Sequence, residues 1–213
     1  AVVAAGAPPV FADCQASDGN IDPAEIKKLI TKKTKAIIPV DLYGIAADYD
    51  RIHTIAKSHK LFVIEDAAEG LGGSYKGKPL GSLGDVGCFS FFGNKILTTG
   101  EGGMCVTNSK ELLDKIILYK NHGTGRARMY WVEVSGFNMR MTNVHAAIGV
   151  SQLKSISSFL KARYTVFDTY LKLLAKVSGI EPLPFKSREY APWMFTAHVR
   201  GHDKEEIVAA LRE

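Results

Sequence analysis

Several features that identify common classes of protein are scarce or absent in this sequence. Only three of its 213 residues are cysteines, Cys14, Cys88 and Cys105, and their spacing does not match that of metal ligands. Because Cys88 and Cys105 lie in apolar, strand-like runs, we predict small buried side chains with reduced thiols. No apolar run is long enough to span a membrane, and residues 1–6 do not resemble a signal peptide. We therefore expect a cytoplasmic protein that binds no metal.

The sequence also has no tight cluster of basic residues, although its formal net charge is +5 and its pI is about 9.0. An excess of positive charge suits an anionic partner, but the lysines here are scattered along predicted helices. Nucleic-acid binding requires a basic face or a recognisable module, and the sequence offers neither. We therefore assign the charge to a solvated surface and expect no nucleic-acid partner.

The sequence does have the composition of a globular protein and an alternation of strand and helix. With 46% hydrophobic and 23% charged residues, the chain can bury a core. Residues 35–40 and 61–64 are continuous apolar runs, typical of strands buried on both faces, and a helical segment at 48–59 separates them. A strand, a helix and a second strand in that order favour parallel pairing. The predicted fold class is α/β.

Further strands and helices are predicted on both sides of this unit. Asp22 and Pro23 are typical of a helix start, and Ser109 is typical of a helix cap. Apolar positions from residue 142 to residue 177 have few breaks, which predicts one long helix, either straight or bent. The other predictions are strands at residues 8–13, 87–91, 103–107 and 193–200, and helices at residues 22–30, at 109–119 and from 203 onward.

Two residues and one glycine-rich turn are candidates for chemistry. Asp66 ends an apolar strand, and ligands of parallel sheets gather at the carboxyl ends of the strands. The alternative is that Asp66 only caps the segment that follows it. Lys95 follows an aromatic strand and a Gly-Asn turn, where partial desolvation favours a nucleophilic amine. The alternative is that Lys95 is an ordinary surface lysine. The turn at residues 98–103 would let the backbone approach a ligand.

An apolar strand that ends in acidic residues also occurs in P-loop nucleotidases, where it binds magnesium. That function requires a Gly-x-x-x-x-Gly-Lys-Ser/Thr loop, and the sequence does not contain one. Together, Asp66, Lys95 and Ser90 provide what a pyridoxal phosphate site requires. The carboxylate pairs with the ring nitrogen, the amine binds the aldehyde, and the hydroxyl helps to hold the phosphate. The combination therefore favours a pyridoxal phosphate site.

Three stretches around these residues resemble a known protein family. Residues 63–69 (VIEDAAE), 81–95 (GSLGDVGCFSFFGNK) and 98–104 (TTGEGGM) are similar to the nucleotide-sugar aminotransferases of the DegT/StrS type, within fold type I. The similarity continues through residues 121–123, 136–143 and 146–149, so that it covers nearly the whole chain. Within the family, the motif at 93–103 is most similar to the perosamine synthase group.

The resemblance implies a role for each candidate residue. In the related sugar dehydratases a histidine occupies the position of Lys95, so the lysine favours transamination. The family is homodimeric, with active sites at the subunit interface. The implied roles are Lys95 as the Schiff-base lysine of pyridoxal phosphate, Asp66 as partner of the pyridine nitrogen, Ser90 as phosphate ligand, Glu69 near the ring hydroxyl or the substrate, and Asn138 or Arg140 reaching the phosphate of the neighbouring subunit.

The resemblance also implies a reaction and a domain organisation. The reaction would transfer an amino group from L-glutamate to an NDP-4-keto-6-deoxyhexose. Residues 1–155 would form a fold type I large domain, in which helices flank a mainly parallel central sheet. Residues 156–178 would form a long interdomain helix, and residues 179–213 would begin a small α/β domain. Because the family has an N-terminal segment with a phosphate loop before the matched part, we expect a piece of a longer protein. The alternative is a catalytically inactive dimerisation or regulatory fragment.

Overall fold

A computed structural model describes residues 1–125, 131–185, 188–201 and 203–212, in which helices and strands alternate. The helices are α1 (Pro23–Leu29), α2 (Tyr49–His59), α3 (Lys110–Lys120), α4 (Asn143–Leu153), α5 (Ile156–Leu174) and α6 (Lys204–Ala210), with short 3-10 helices at Val3–Ala5 and Leu42–Gly44. The strands are β1 (Ala36–Ile37), β2 (Phe62–Asp66), β3 (Ser74–Tyr75), β4 (Lys78–Pro79), β5 (Val86–Ser90), β6 (Gly103–Val106), β7 (Ile180–Pro182) and β8 (Ala197–Val199).

A four-stranded sheet in the order β1-β2-β5-β6 forms the centre of the described ranges. Strands β1, β2 and β5 are parallel, and β6 is antiparallel to β5. Two smaller antiparallel pairs, β3-β4 and β7-β8, lie outside this sheet. The predicted α/β class with a mainly parallel central sheet is confirmed.

The helix starts follow local capping chemistry that the sequence predicts. The Asp22 side chain accepts a hydrogen bond from the N–H of Ala24, and Pro23 occupies the first turn of α1. Ser109 caps α3 by accepting from the N–H of Leu112. Each cap satisfies a backbone donor that has no partner within its own helix, which fixes where the helix begins.

Two predicted elements differ from the structure. Residues 8–13 do not form a strand, because Pro8 and Pro9 have no N–H with which to join a sheet ladder. The long helix predicted over residues 142–177 is broken into α4 and α5 by a turn at Lys154 and Ser155. Ser155 has φ −106° and ψ 5°, outside helical values, so the chain changes direction there.

The predicted burial of the cysteines is wrong. Cys14 and Cys105 are exposed and Cys88 is partly exposed, although Cys88 and Cys105 do lie in strands β5 and β6. Strand β6 is the last strand in the sheet order, so apolar neighbours do not enclose its side chains.

The described residues show neither a cluster of metal ligands nor a membrane-spanning helix. Within the described ranges, no three His, Cys, Asp or Glu side chains are grouped so that they could hold a metal ion. Among the same residues, no helix combines the length and the apolar character needed to cross a membrane.

The main apolar core lies between the sheet and the first two helices. Ile52 and Ile55 of α2 are almost fully buried and pack with Ile26 of α1 and with Val63 of β2. Burying an aliphatic side chain of this size contributes about 1.5–3 kcal/mol. This core holds β2 in place and so fixes the position of Asp66 at its carboxyl end.

A buried carboxylate holds the loop that leads into β5. Glu65, in β2, is fully buried, and it accepts hydrogen bonds from the backbone N–H groups of Gly81, Leu83 and Gly84. Gly81 has φ +89°, and a side chain there would collide with the ring of Phe89. The glycines of the 81–84 stretch therefore allow a tight loop to wrap around one negative charge.

A second buried acid, Asp41, lies beside Glu65. Asp41 is fully buried; its Oδ1 accepts from the Tyr49 hydroxyl at 3.0 Å and from the Ala47 N–H at 3.2 Å. Its Oδ2 accepts no hydrogen bond within the described part of the chain. Burial, and after it the negative charge of Glu65, raise the pKa of Asp41 to about 8. A proton on Asp41 avoids placing a second negative charge beside Glu65 in this buried site.

This proton makes the stability of the fold depend on pH. The pKa of Asp41 is raised in the folded state, so its contribution to stability is complete below about pH 4 and is lost as the pH rises through about 8. In this window the free energy of unfolding of the wild type should fall by up to about 1.4 kcal/mol per pH unit from this group. Asp41→Asn cannot ionise, and we expect urea titrations of this variant to give a flatter profile than the wild type between about pH 4 and pH 8.

The exposed Asp50 provides the matched control for this prediction. Asp50 pairs with Lys76 at the surface, and Asp50→Asn removes one carboxylate without touching the buried pair. We expect its pH profile to keep the slope of the wild type. Equal slopes for the wild type and Asp41→Asn would show that Asp41 does not hold the proton.

Candidate active site

The candidate site lies where β2 and β5 end at the same edge of the sheet. Asp66 is the last residue of β2, and it is opposite Cys88 in the register between the two strands. Ser90, the last residue of β5, lies two positions beyond Cys88 and therefore projects from the same face of the sheet. The parallel register brings together two of the groups that the sequence predicts for the site.

Asp66 is half-buried and makes one local hydrogen bond. Its Oδ1 accepts from the N–H of Ala68 at 3.1 Å, so the capping role considered from the sequence is present. A carboxylate accepts several hydrogen bonds. The cap therefore does not prevent Asp66 from pairing with a protonated ring nitrogen.

Lys95 is carried by a turn that several hydrogen bonds fix to the end of β5. The N–H of Lys95 donates to Phe92 O at 3.0 Å, and the N–H of Thr99 donates to Phe91 O at 2.9 Å. Ile96 and Leu97, which follow the lysine, are buried. These contacts hold the backbone of Lys95 while its side chain remains partly exposed.

The glycine-rich turn after Lys95 is bound to helix α4. Thr98 donates its N–H to the Gln152 side chain at 2.9 Å, and Thr99 is almost fully buried. The Thr99 hydroxyl donates to Glu101 O at 2.6 Å, which closes the turn on itself. The turn thus supports the lysine segment from the side of α4.

Trp193 covers the Lys95 amine, a contact that the sequence does not reveal. The Lys95 Nζ lies 4.0 Å from the centre of the Trp193 ring, within the range of a cation–π interaction. The Trp193 Nε1–H donates to Asn94 O at 3.0 Å, and Arg163 donates to Trp193 O at 2.9 Å. Phe195, two residues later, packs in an aromatic cluster instead. Trp193 therefore limits where the Lys95 amine can point.

Glu69 lies near the positive charge of Lys95. Its Oε2 accepts from the N–H of Tyr43 at 2.6 Å, and Tyr43 has φ +55°. Burial raises the pKa of Glu69, while that hydrogen bond and the Lys95 charge act in the opposite direction. The backbone of Tyr43 thus helps to position Glu69, while its side chain packs against an aromatic cluster.

Asn138 and Arg140 are on an exposed segment. The Arg140 Nε–H donates to the Asn138 Oδ1 at 3.3 Å, and both side chains are open to solvent. Their predicted contact is with a phosphate bound to a neighbouring subunit. That assignment remains a prediction, because it concerns a second chain.

The groups at this edge match the requirements of pyridoxal phosphate. The cofactor needs a carboxylate for its ring nitrogen, an amine for its aldehyde, and hydroxyl or N–H donors for its phosphate. Asp66, Lys95 and Ser90 offer these groups from two strand ends and one turn. The Ser90 Oγ also accepts from the Phe92 N–H at 3.3 Å, which orients the hydroxyl.

Comparison with known proteins gives an independent result. The family model described as the DegT/DnrJ/EryC1/StrS aminotransferase family matches residues 1–213. The GDP-perosamine synthase of Caulobacter vibrioides is 46% identical over 196 residues, which are 91% of this chain and 53% of that protein. The chain therefore spans about half the length of the curated relatives that it matches.

Solved structures agree with this comparison. DesV of S. venezuelae, determined in complex with a ketimine intermediate, superposes with a TM-score of 0.91 at 32% identity, over 99% of this chain and 56% of that one. Spr1654 of Streptococcus pneumoniae, in its PLP form, superposes with a TM-score of 0.89 at 30% identity, over 99% of this chain and 59% of that one.

Proposed function

Because the chain belongs to the DegT/DnrJ/EryC1/StrS aminotransferase family, we propose that it forms the lysine-bearing part of a pyridoxal-phosphate-dependent nucleotide-sugar aminotransferase. The observation that carries the proposal is the position of Lys95. It lies on a fixed turn at the strand edge that also carries Asp66 and Ser90, in a sequence context shared with the aminotransferases.

Each site residue has a proposed task. When bound, pyridoxal phosphate supplies an aldehyde that captures amines and a ring that withdraws electrons from the adjacent carbon. Asp66 keeps the ring nitrogen protonated, and Ser90 binds a phosphate oxygen. Lys95 binds the cofactor through Nζ and, once a substrate amine replaces it, moves a proton to and from the reacting carbon. Glu69 lies near the ring hydroxyl or the substrate.

Trp193 has a supporting task in this scheme. The Lys95 amine must both bind the aldehyde and reach the reacting carbon, which requires restricted motion of a long side chain. The indole ring restricts that motion from one side, and its own position is fixed by Asn94 and Arg163. Trp193 is therefore a positioning residue rather than a catalytic one.

The proposed substrates are L-glutamate, as amino donor, and an NDP-4-keto-6-deoxyhexose, which becomes the 4-amino sugar. Support comes from the similarity to GDP-perosamine synthases, which favours GDP-4-keto-6-deoxymannose as the first compound to assay. No observation in the described residues favours the alternative of an inactive dimerisation or regulatory fragment. The cytoplasmic location also remains a prediction.

We further propose that the working protein is a homodimer that shares its active sites. Asn138 and Arg140 are exposed, and so are several apolar side chains next to them in the sequence and along α4. A soluble monomer rarely leaves apolar side chains uncovered over a wide area. A second copy of the chain on this surface would bury these side chains and bring Asn138 or Arg140 to the partner's phosphate. The apolar residues are Phe137, Met139, Val144, Ile148, Val150 and Leu153.

The proposed function is tested by fixing the cofactor to its lysine. The chain is mixed with pyridoxal phosphate and reduced with borohydride, and the modified peptide is identified by mass spectrometry. We expect the label on Lys95, because its backbone is held at the site and its side chain is partly exposed.

A second turn lysine provides the control for this experiment. Lys76 is exposed and paired with Asp50, and Lys76→Arg should leave the labelling of Lys95 unchanged. A label distributed over surface lysines, with no excess on Lys95, would contradict the proposed site.

A further inference from the structure

Two of the three cysteines face each other across neighbouring strands. Cys88 of β5 is directly opposite Cys105 of β6 in the antiparallel register, and their Sγ atoms are 4.0 Å apart. Directly opposed residues of an antiparallel pair have Cα atoms about 4.5–5.5 Å apart, which lies within the range that a disulfide requires. A rotation of the side chains, without a change in strand pairing, can bring the two sulfur atoms into bonding distance.

The surroundings of this pair favour reaction at Cys105. The pKa of Cys105 is lowered by a hydrogen bond from the Cys88 thiol and by the positive charge of Lys120. The pKa of Cys88 is raised by the same hydrogen bond and by burial. The thiolate is the reactive form of cysteine, and Cys105 is also the more exposed of the two.

We propose that Cys88 and Cys105 are a redox-active pair that a peroxide converts to a reversible disulfide. The Cys105 thiolate attacks the peroxide O–O bond, which forms a sulfenic acid and releases hydroxide. The Cys88 thiol then attacks this sulfur, so that the S–S bond forms, the S–O bond breaks and water leaves. With hydrogen peroxide, two thiols are oxidised and one peroxide is reduced to two water molecules, because the released hydroxide takes up the proton that Cys105 lost. A thiol reductant reverses the change.

The position of the disulfide would link redox state to the lysine segment. The bond would join the two strands that enclose residues 89–104, the segment that carries Ser90 and Lys95. Cys88 is also opposite Asp66 in the register with β2. The new bond would therefore close a covalent loop around the turn that presents the Lys95 amine.

The test uses the 213-residue chain without added cofactor, so that its result does not depend on the proposed function. The reduced chain is treated with hydrogen peroxide, its remaining thiols are alkylated, and the peptides are mapped before and after reduction. We expect the loss of two of the three alkylatable thiols, a cross-linked peptide that joins Cys88 to Cys105, and full recovery with dithiothreitol. Cys14 is exposed and far from the pair in the sequence, and it should remain alkylatable.

Variants separate the two chemical steps. In Cys88→Ser the sulfenic acid on Cys105 has no partner, so a sulfenic-acid trap such as dimedone should label Cys105 more strongly than in the wild type. In Cys105→Ser, Cys88 should react more slowly than Cys105 does in the wild type, by roughly 5-fold or more. The proposal is overturned if wild-type Cys88 and Cys105 stay alkylatable when Cys14 is oxidised, or if they cross-link only between chains.

Discussion

Replacing Lys95 by alanine is expected to lower the rate of amino transfer by the proposed enzyme at least about 10³-fold. The substitution removes both the amine that binds the aldehyde and the group that moves the proton, and no other lysine lies on the same fixed turn. The rate is measured as 2-oxoglutarate released from L-glutamate in the presence of GDP-4-keto-6-deoxymannose.

Lys95→Arg separates the charge of the side chain from its chemistry. Arginine keeps a cation that can stack on Trp193, but its guanidinium does not bind an aldehyde as a lysine amine does. We expect Lys95→Arg to fold normally and to be as inactive as Lys95→Ala. Turnover at a tenth or more (roughly) of the wild-type rate in either variant would remove Lys95 from its role.

Asp66→Asn is expected to lower the rate of amino transfer roughly 10²- to 10³-fold, since the ring nitrogen would lose the charged partner that keeps it protonated. Asparagine has nearly the shape of aspartate, and its side-chain oxygen can still accept the hydrogen bond from the Ala68 N–H. The variant therefore keeps the cap and removes only the negative charge that would stabilise the protonated ring nitrogen. The same assay reports the effect.

Asp22 is the matched control for Asp66. Its carboxylate also accepts a hydrogen bond from a backbone N–H two residues later, but at the exposed start of α1. Asp22→Asn should leave the rate of amino transfer unchanged. If Asp66→Asn does the same, then Asp66 is a cap and its proposed pairing with the cofactor is wrong.

The parts of the fold that were predicted correctly depend on local signals. The apolar run of β2 and the capped, periodic segment of α2 specify their own conformations, because each residue type there agrees with the same local geometry. The closeness of Asp66 and Ser90 could also be predicted from the sequence. Both end strands of one sheet, and the carboxyl ends of parallel strands meet at one edge.

The parts that could not be predicted depend on contacts between distant segments. Trp193 reaches Lys95 only because the chain after α5 returns to the turn that carries the lysine, and no periodicity encodes such a return. Asp41 comes close to Glu65 because the chain after β1 continues alongside β2, where Val40 pairs with Asp66. The exposure of Cys105 follows from the place of β6 at the end of the sheet order, which composition does not report.

The contact between Trp193 and Lys95 also has an optical consequence. The chain has two tryptophans, and one of them lies over the amine on which the proposed chemistry depends. Indole emits light in the spectral region where pyridoxal compounds absorb, and energy transfer between the two is efficient only at short range. The fluorescence intensity of Trp193 should therefore decrease when a pyridoxal group occupies the site. This decrease would report binding at the lysine without an added label.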